Sequence, residues 1–367
     1  MPSRLFSPLS LRSMQLDNRI VVSPLAQFMA DSEGNATDWH IMHLGNLALS
    51  GASLLMIEAT AVEQRGCNTR DYLCLWTDAH ERSLKRVVDF CRSISPVRLG
   101  IQLHHCGRKG SVVKPWEGLQ QIPLAEGGWA MVSASALPYE NRPNPVTSPD
   151  EAELARIKGL FVDSARRCAR IGIDLIEMHY GHGYLMHSFL SPLSNLRTDR
   201  YGGDLEGRMR YPLEVFKAVR EVWPEDRPLG VRISATDWTE GGWDIEGSVT
   251  FSRELKSLGC DYVSLSSGGL SPDQKIIVGP AYQVPFSERV RREAGIPTMA
   301  VGMLHEPTLA ESVLAEGKAD MVAIGRAMMA DPRWPWRAAQ ALGEKMRLPL
   351  PYDRCRPGLL PYASSAG

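Results

Sequence analysis

The sequence predicts an α/β fold, a (β/α)8 barrel, on three observations. Eight short apolar runs recur along the chain, at 20–24, 54–62, 99–105, 174–180, 229–235, 262–268, 298–303 and 321–327. Segments with helical, 3.6-residue periodicity lie between them. Strand and helix therefore alternate, which implies right-handed βαβ units and a parallel sheet. Eight such repeats over roughly 320 residues favour a closed barrel over an open sheet.

In chain order, MPSRLFSPLSLRSMQLDNR alternates polar and apolar residues without the apolar core of a signal peptide. The first 17 residues are expected to form a hairpin cap closing the barrel bottom. IVVSP, LLMIEATAV and LGIQLHH supply the first three strands. Residues 107–149 then read as a long loop excursion after strand 3, irregular, rich in Pro and Gly, and carrying Trp116 and Trp129. Aperiodic segments of that length commonly serve as lids or binding loops. In SPDE, Ser148, Pro149 and Glu151 predict a capping box opening a helix. Leu154, Ile157, Phe161 and Ala165 line its apolar face, and Gly172 is placed to end it. DLIEMHY, LGVRISA, YVSLSSG, TMAVGM and MVAIGRA complete the eight. Residues 1–345 are read as a single domain and 346–367 as a C-terminal tail.

Composition narrows the function classes. The chain is 44% hydrophobic and 23% charged, with a formal net charge of −1. That balance offers no electrostatic footprint for nucleic acid or an anionic membrane surface, and no apolar run reaches the ~18 residues of a membrane span. The seven cysteines are odd in number and scattered, with no C-x-x-C pair. This argues against a disulfide framework, a structural zinc or an iron–sulfur cluster, and a cytoplasmic location is expected.

Barrel chemistry belongs at the C-terminal ends of strands. Those positions hold Pro24, Thr60, Gln102, His104, His105, His179, Arg232, Ser266, Gly302, Gly325 and Arg326. Gln102 and Arg232 interrupt apolar runs, where unpartnered polar groups are costly to bury. Either they await a polar ligand in the barrel mouth, or they pair with each other or with nearby carboxylates. The tips AVGM and AIGRAMMADP each carry a glycine, and Arg326 adds a fork suited to phosphate. No G-x-G-x-x-G follows a strand, so a mononucleotide-like cofactor or a phosphorylated substrate fits better than a Rossmann-bound dinucleotide. EMHYGHGYLMHSFL packs His179, His182 and His187 into nine residues. They could be metal ligands with Glu177, separately buried rings, or donors aimed at a substrate. Metal ligation is disfavoured because nothing nearby but Glu177 completes a set, and His187 is read as structural. His104 and His105 point opposite ways, so only one can face the barrel interior.

These residues resemble the Old Yellow Enzyme family of FMN-dependent ene-reductases, in particular its bacterial thermophilic-like branch. The likeness spans residues 4–335. It is densest in RLFSPLSLRSMQLDNRIVVSPL, IEATAVEQRG, GIQLHHCGRKG, VRISATDW, IGRAMMADP and, above all, HYGHGYLMHSFLSPLSNLRTDRYGG. The resemblance implies an NAD(P)H:flavin oxidoreductase of the NADPH dehydrogenase or ene-reductase type. It would run in ping-pong fashion, with NADPH or NADH as reductant and a small activated alkene, such as an enone, as substrate. Ser23, Pro24, Leu25, Ala26 and Thr60 would contact the flavin, Gln102 its pyrimidine edge, and Arg232 the N1–O2 region. Gly302, Met303, Gly325 and Arg326 would hold the phosphate. His179 and His182 would bind the substrate carbonyl and Tyr184 would donate the proton. The family pattern also favours His105 over His104 for a structural or flavin-adjacent role. A homodimer or homotetramer is implied.

The chain departs from that branch at Ala26 and Phe28, where a cysteine and an aromatic hydroxyl are usual. Catalysis should survive, since neither missing group delivers hydride or proton, whereas flavin potential and substrate range should change. Phe28 and Lys109 are expected to flank the substrate, and Arg354 to reach a neighbouring subunit's pocket. A flavin-dependent double-bond isomerase and a dienoyl-CoA-type reductase are the alternatives on the same barrel. The second is disfavoured by the absence of clustered cysteines.

Overall fold

The computed structural model describes residues 2–140 and 142–355. The chain opens with an antiparallel hairpin, β1 (Leu9–Leu11) and β2 (Met14–Leu16), as expected. Eight parallel strands then close a barrel: β3 (Ile20–Val22), β4 (Leu54–Ala61), β5 (Arg98–His104), β8 (Leu175–Tyr180), β9 (Leu229–Ser234), β10 (Tyr262–Ser266), β11 (Thr298–Ala300) and β12 (Met321–Ile324). They pair in chain order, and β12 returns to β3. All eight lie where the apolar runs placed them. Helices such as α1 (Asp38–Ala48), α2 (Asp78–Ile94) and α3 (Glu151–Ile171) run between successive strands. Among the described residues, no helix is long and apolar enough to cross a membrane.

Period-two alternation divides the core in two. Ile57, Ile101, Leu103, Met178, Ile233 and Leu265 point outward into the helix layer. Val21, Leu54, Met56, Leu175, Tyr262 and Met321 point inward, where Leu11, Met14 and Leu16 of the hairpin join them. Fully burying such a side chain is worth about 1.5–3 kcal/mol, so the same effect that fills the barrel also holds the hairpin on its floor. Gly230 makes room in this layer, because a Cβ there would lie 2.1 Å from the Tyr262 ring. The excursion after β5 is built from single turns and a two-residue parallel pair, β6 (Met131–Val132) with β7 (Val146–Thr147).

One local expectation is corrected. Asp150, not Ser148, caps α3, its carboxylate accepting from Glu153 N at 2.8 Å. Ser148 instead donates to Ala134 O (2.8 Å) and accepts from Arg197 Nη1 (2.9 Å). An anionic acceptor placed closer to the first helical turn, at its positive end, outcompetes a neutral hydroxyl. The apolar face and the left-handed Gly172 terminus (φ 85°) follow the sequence expectation. Asp150→Ala should lower unfolding stability by about 1 kcal/mol, read as a shifted urea midpoint at constant slope. An unmoved midpoint would return the cap to Ser148.

Candidate active site

The site rises from a buried polar layer halfway up the barrel. Glu177 is fully buried; its Oε1 accepts from Gln102 Nε2 (2.7 Å) and its Oε2 from the Tyr262 hydroxyl (3.0 Å). Burial pushes its pKa up, while Arg232, Gln102 and Tyr262 pull it back. Burial likewise lowers the pKa of Arg232, opposed first by Glu177. Arg232 Nη1 donates to Ser23 Oγ at 3.2 Å, and its buried Nε has no partner. Gln102 therefore pairs with a carboxylate, one of the alternatives the sequence left open.

One turn higher, the loop after β8 folds back over the barrel mouth. His182 (φ 57°) and Gly183 (φ 75°) are both left-handed, and His182 N donates to Ser234 Oγ at 2.8 Å. His187 is structural, as expected: its Nδ1 accepts from Gly183 N (2.9 Å) and its Nε2 faces Asp237 Oδ1 (2.9 Å). His179 Nε2 and His182 Nδ1 lie 3.2 Å apart, and His182 Nε2 is 2.7 Å from Ser266 Oγ. His179 Nδ1 accepts from Gly181 N (3.3 Å), which leaves the proton of a neutral ring on Nε2. The Tyr184 ring stands edge-on to His179 at 4.9 Å. Burial, then neighbouring cationic or imidazole groups, holds both histidines well below 6.5. Burial pushes Tyr184 up to about 12, so the phenol keeps its proton.

The two histidines at the end of β5 take the opposite directions expected of them, and His105 takes the structural of the two roles left open for it. His104 faces the mouth, its ring 4.4 Å from Tyr184 and 5.3 Å from His179. His105 turns outward, accepting from Gly107 N at Nδ1 (3.1 Å) and meeting Glu63 Oε1 at Nε2 (3.0 Å). The signal was present in the strand, since His104 shares parity with inward-facing Gln102. Asn68, in the loop after β4, was missed entirely; its Oδ1 lies 3.0 Å from His104 Nε2.

Beside Arg232, Ser23, Leu25, Ser266, Gly302, Met303, Gly325 and Arg326 line an open cavity of about 570 Å3, joined by Tyr282 and Gln283. The sequence did not single out the last two. Gln283 Oε1 accepts from Ser267 (2.7 Å) and Ser266 (3.3 Å). Gly302 has φ 112°, and a Cβ on it would come within 3.0 Å of Gln283 Nε2. Pro24 is buried beside this cavity, and Thr60 is fully buried with Oγ1 donating to Glu58 O (2.8 Å). Ala26 and Phe28 pack against an apolar cluster of Ala59, Ala61, Cys67, Tyr72 and Cys74. Lys109 donates to the carbonyls of His182 (3.1 Å) and Gly269 (2.7 Å) and lies 5.5 Å over the Tyr184 ring. Burial, then Arg142 and Arg108, lower its pKa to about 8. Arg354 is exposed in the tail just after Tyr352, whose ring packs on Trp336 at 5.7 Å, and it does not join these residues. Residues 356–367 of the expected tail lie outside the described residues.

A closed parallel barrel with its polar and titratable groups gathered at one mouth defines a barrel enzyme. The chain matches the NADH:flavin oxidoreductase / NADH oxidase family model over residues 4–345. It is 41% identical over 352 residues to an NADPH dehydrogenase of Geobacillus thermodenitrificans, covering 95% of this chain and 98% of that one. With an NADPH dehydrogenase of Bacillus subtilis it shares 36% over 355 residues, covering 96% and 99%. A solved structure of morphinone reductase in complex with tetrahydroNAD superposes with a TM-score of 0.77 at 27% identity, covering 95% of this chain and 93% of the other. The chain belongs to this flavin oxidoreductase family, the Old Yellow Enzyme family of the sequence resemblance. It is an oxidoreductase that uses FMN, with NAD(P)H as reductant. The cavity fits that cofactor. Its volume is in the range of a small-molecule site, the unpartnered Arg232 Nε calls for an acceptor, and the Gly302 cradle excludes a side chain.

The neutral histidines set a pH dependence. Because the folded pKa values of His104, His179 and His182 are depressed, the unfolded chain binds protons first as pH falls below 6.5. Stability is therefore full above that value and declines below it, by at most roughly 1.4 kcal/mol per histidine per pH unit. Urea midpoints of the apoprotein at about pH 7.5 and 5.5 should show the loss, smaller in His104→Leu. Equal midpoints would mean that the rings are charged in the folded chain.

Proposed function

We propose that the protein is an ene-reductase acting on α,β-unsaturated carbonyl compounds or similarly activated alkenes. Bound FMN supplies a hydride, taken from NAD(P)H, to the β-carbon of the alkene. The observation that carries the reading is the convergence of two neutral imidazoles and a protonated phenol on one space above the cavity.

Each residue has a task that follows from its surroundings. Ser23, Arg232, Gln283, Gly302, Met303, Gly325 and Arg326 would hold the cofactor, with Arg326 and the glycine tips suited to its phosphate. Leu25, Ala26 and Thr60 would contact its ring, and Arg232 would offer a fixed cation to developing negative charge. His179 presents Nε2–H to the substrate carbonyl. His182 would present Nδ1–H as well once the Ser266 hydroxyl turns from Gln283 to donate to its Nε2, since a neutral imidazole carries its one proton on either nitrogen. Two N–H groups on one oxygen favour the enolate more than the ketone, and so the transition state more than the ground state. Tyr184 then protonates the α-carbon. Phe28 and Lys109 border the substrate space, and the absence of a side-chain donor at Ala26 shifts the flavin potential downward. In an assembled oligomer, Arg354 would serve the neighbouring pocket.

The test is anaerobic and separates the two halves of turnover. NADPH should bleach the FMN-loaded protein and 2-cyclohexenone should restore the colour, with one nicotinamide consumed per ketone formed. A double-bond isomerase would consume none. Tyr184→Phe should be bleached normally yet recover about 100-fold more slowly or worse. Normal recovery in that variant would assign the proton to another donor.

A further inference from the structure

Tyr184 must do two opposed things. It must keep its proton until the α-carbon is ready, and it must then carry negative charge in a space from which water is largely excluded. Burial serves the first and hinders the second. The ring's neighbours are His104, His179 and, more distantly, Lys109. Lys109 cannot easily serve the phenol oxygen, because its ammonium already donates to the carbonyls of His182 and Gly269. The histidines present ring edges or faces rather than a donor to that oxygen.

Asn68 remains. Its side chain shares His104 with Tyr184, whose ring stands edge-on to that histidine at 4.4 Å, and from there it acts to lower the Tyr184 pKa that burial raises. Its Oδ1 meets His104 Nε2 at 3.0 Å. His104 is fully buried, and burial keeps it neutral. Its Nδ1 has no partner, and an orphaned lone pair is tolerated better than an orphaned N–H. The ring proton therefore sits on Nε2 and points at Asn68 Oδ1. With its oxygen so engaged, the amide must turn its NH2 toward Tyr184. The backbone holds Asn68 in place: Val112 N donates to its carbonyl at 2.9 Å, and flanking Cys67 and Thr69 are buried.

We propose that Asn68, oriented by His104, is a positioning residue that readies Tyr184 as the proton donor by giving an amide N–H to its oxygen. This rests on the reading of Tyr184 as the acid. With its oxygen accepting from Asn68, the phenol's own O–H is free to point at the α-carbon. On transfer the O–H bond breaks, a C–H bond forms at the enolate carbon, and the negative charge passes to the phenol oxygen. The Asn68 N–H then bonds an anion, and water restores the phenol proton. Removing Asn68 strips stabilisation from the products of this step and leaves carbonyl binding by His179 and His182 in place.

The experiment uses the FMN-loaded enzyme and its Asn68→Ala and His104→Leu variants. Each is reduced anaerobically and then reoxidised with either 2-cyclohexenone or ferricyanide, an oxidant that takes electrons without a proton delivered to carbon. In Asn68→Ala the limiting rate with enone should fall about 10- to 100-fold, the range for a lost hydrogen bond to a charged group. The apparent Kd for enone should stay within about threefold, as for an interaction made only in the transition state. Ferricyanide reoxidation should be unchanged, and His104→Leu should show a smaller loss of the same kind. In the apoprotein, the Cζ resonance of 13C-labelled Tyr184, assigned by its loss in Tyr184→Phe, should move in Asn68→Ala. Unchanged enone rates in both variants would overturn the proposal, as would enone and ferricyanide rates falling together. Failure of the wild-type enzyme itself to reoxidise with any enone would instead remove the ene-reductase reading, and this inference with it.

Discussion

Glu177 lies at the centre of the barrel with no access to solvent, and both of its oxygens are taken, one by Gln102 and one by Tyr262. A carboxylate in that position is tolerable only because partners on two other strands reach it and because Arg232 adds an opposing charge nearby. Tyr262 can reach across only because Gly230 has no side chain. Below this layer the barrel is dry and filled by Leu, Met and Val; above it, nearly every inward side chain is polar. The polar layer separates the part of the barrel that stabilises the fold from the part that does chemistry.

That separation explains why so much was legible in one sequence. All eight strands could be placed because β-rich apolar runs and helical periods alternate without interruption. The strand-end residues could be named because barrel geometry places strand ends together at one mouth. His179, Arg232, Ser266 and Gly302 are brought there by strands whose register follows from alternation. Which of His104 and His105 faces inward was left open, although the strand carried the answer. Gln102, two residues before His104, already pointed inward, and the strand's own parity selects His104.

What stayed hidden lies in loops. Asn68, Tyr282 and Gln283 come from segments with no period, and only the closed barrel brings them beside residues far along the chain. Lys109 could be guessed near the site, but not that its charge would brace two carbonyls of other loops. The α3 cap is a smaller case: SPDE contains two competent caps, the anionic Asp150 takes the helix end, and Ser148 is engaged by Arg197, far along the chain. Local chemistry names the candidates, and tertiary contacts choose among them.

The hairpin on the barrel floor has a consequence beyond packing. Leu11, Met14 and Leu16 stopper the lower end, and among the described residues the cavity beside Arg232 and Ser266 lies at the opposite, polar end of the barrel. On the ene-reductase reading proposed above, a spent nicotinamide would leave by the path along which the next reactant enters. On that reading the two reactants would share one threshold, and an excess of either would slow turnover.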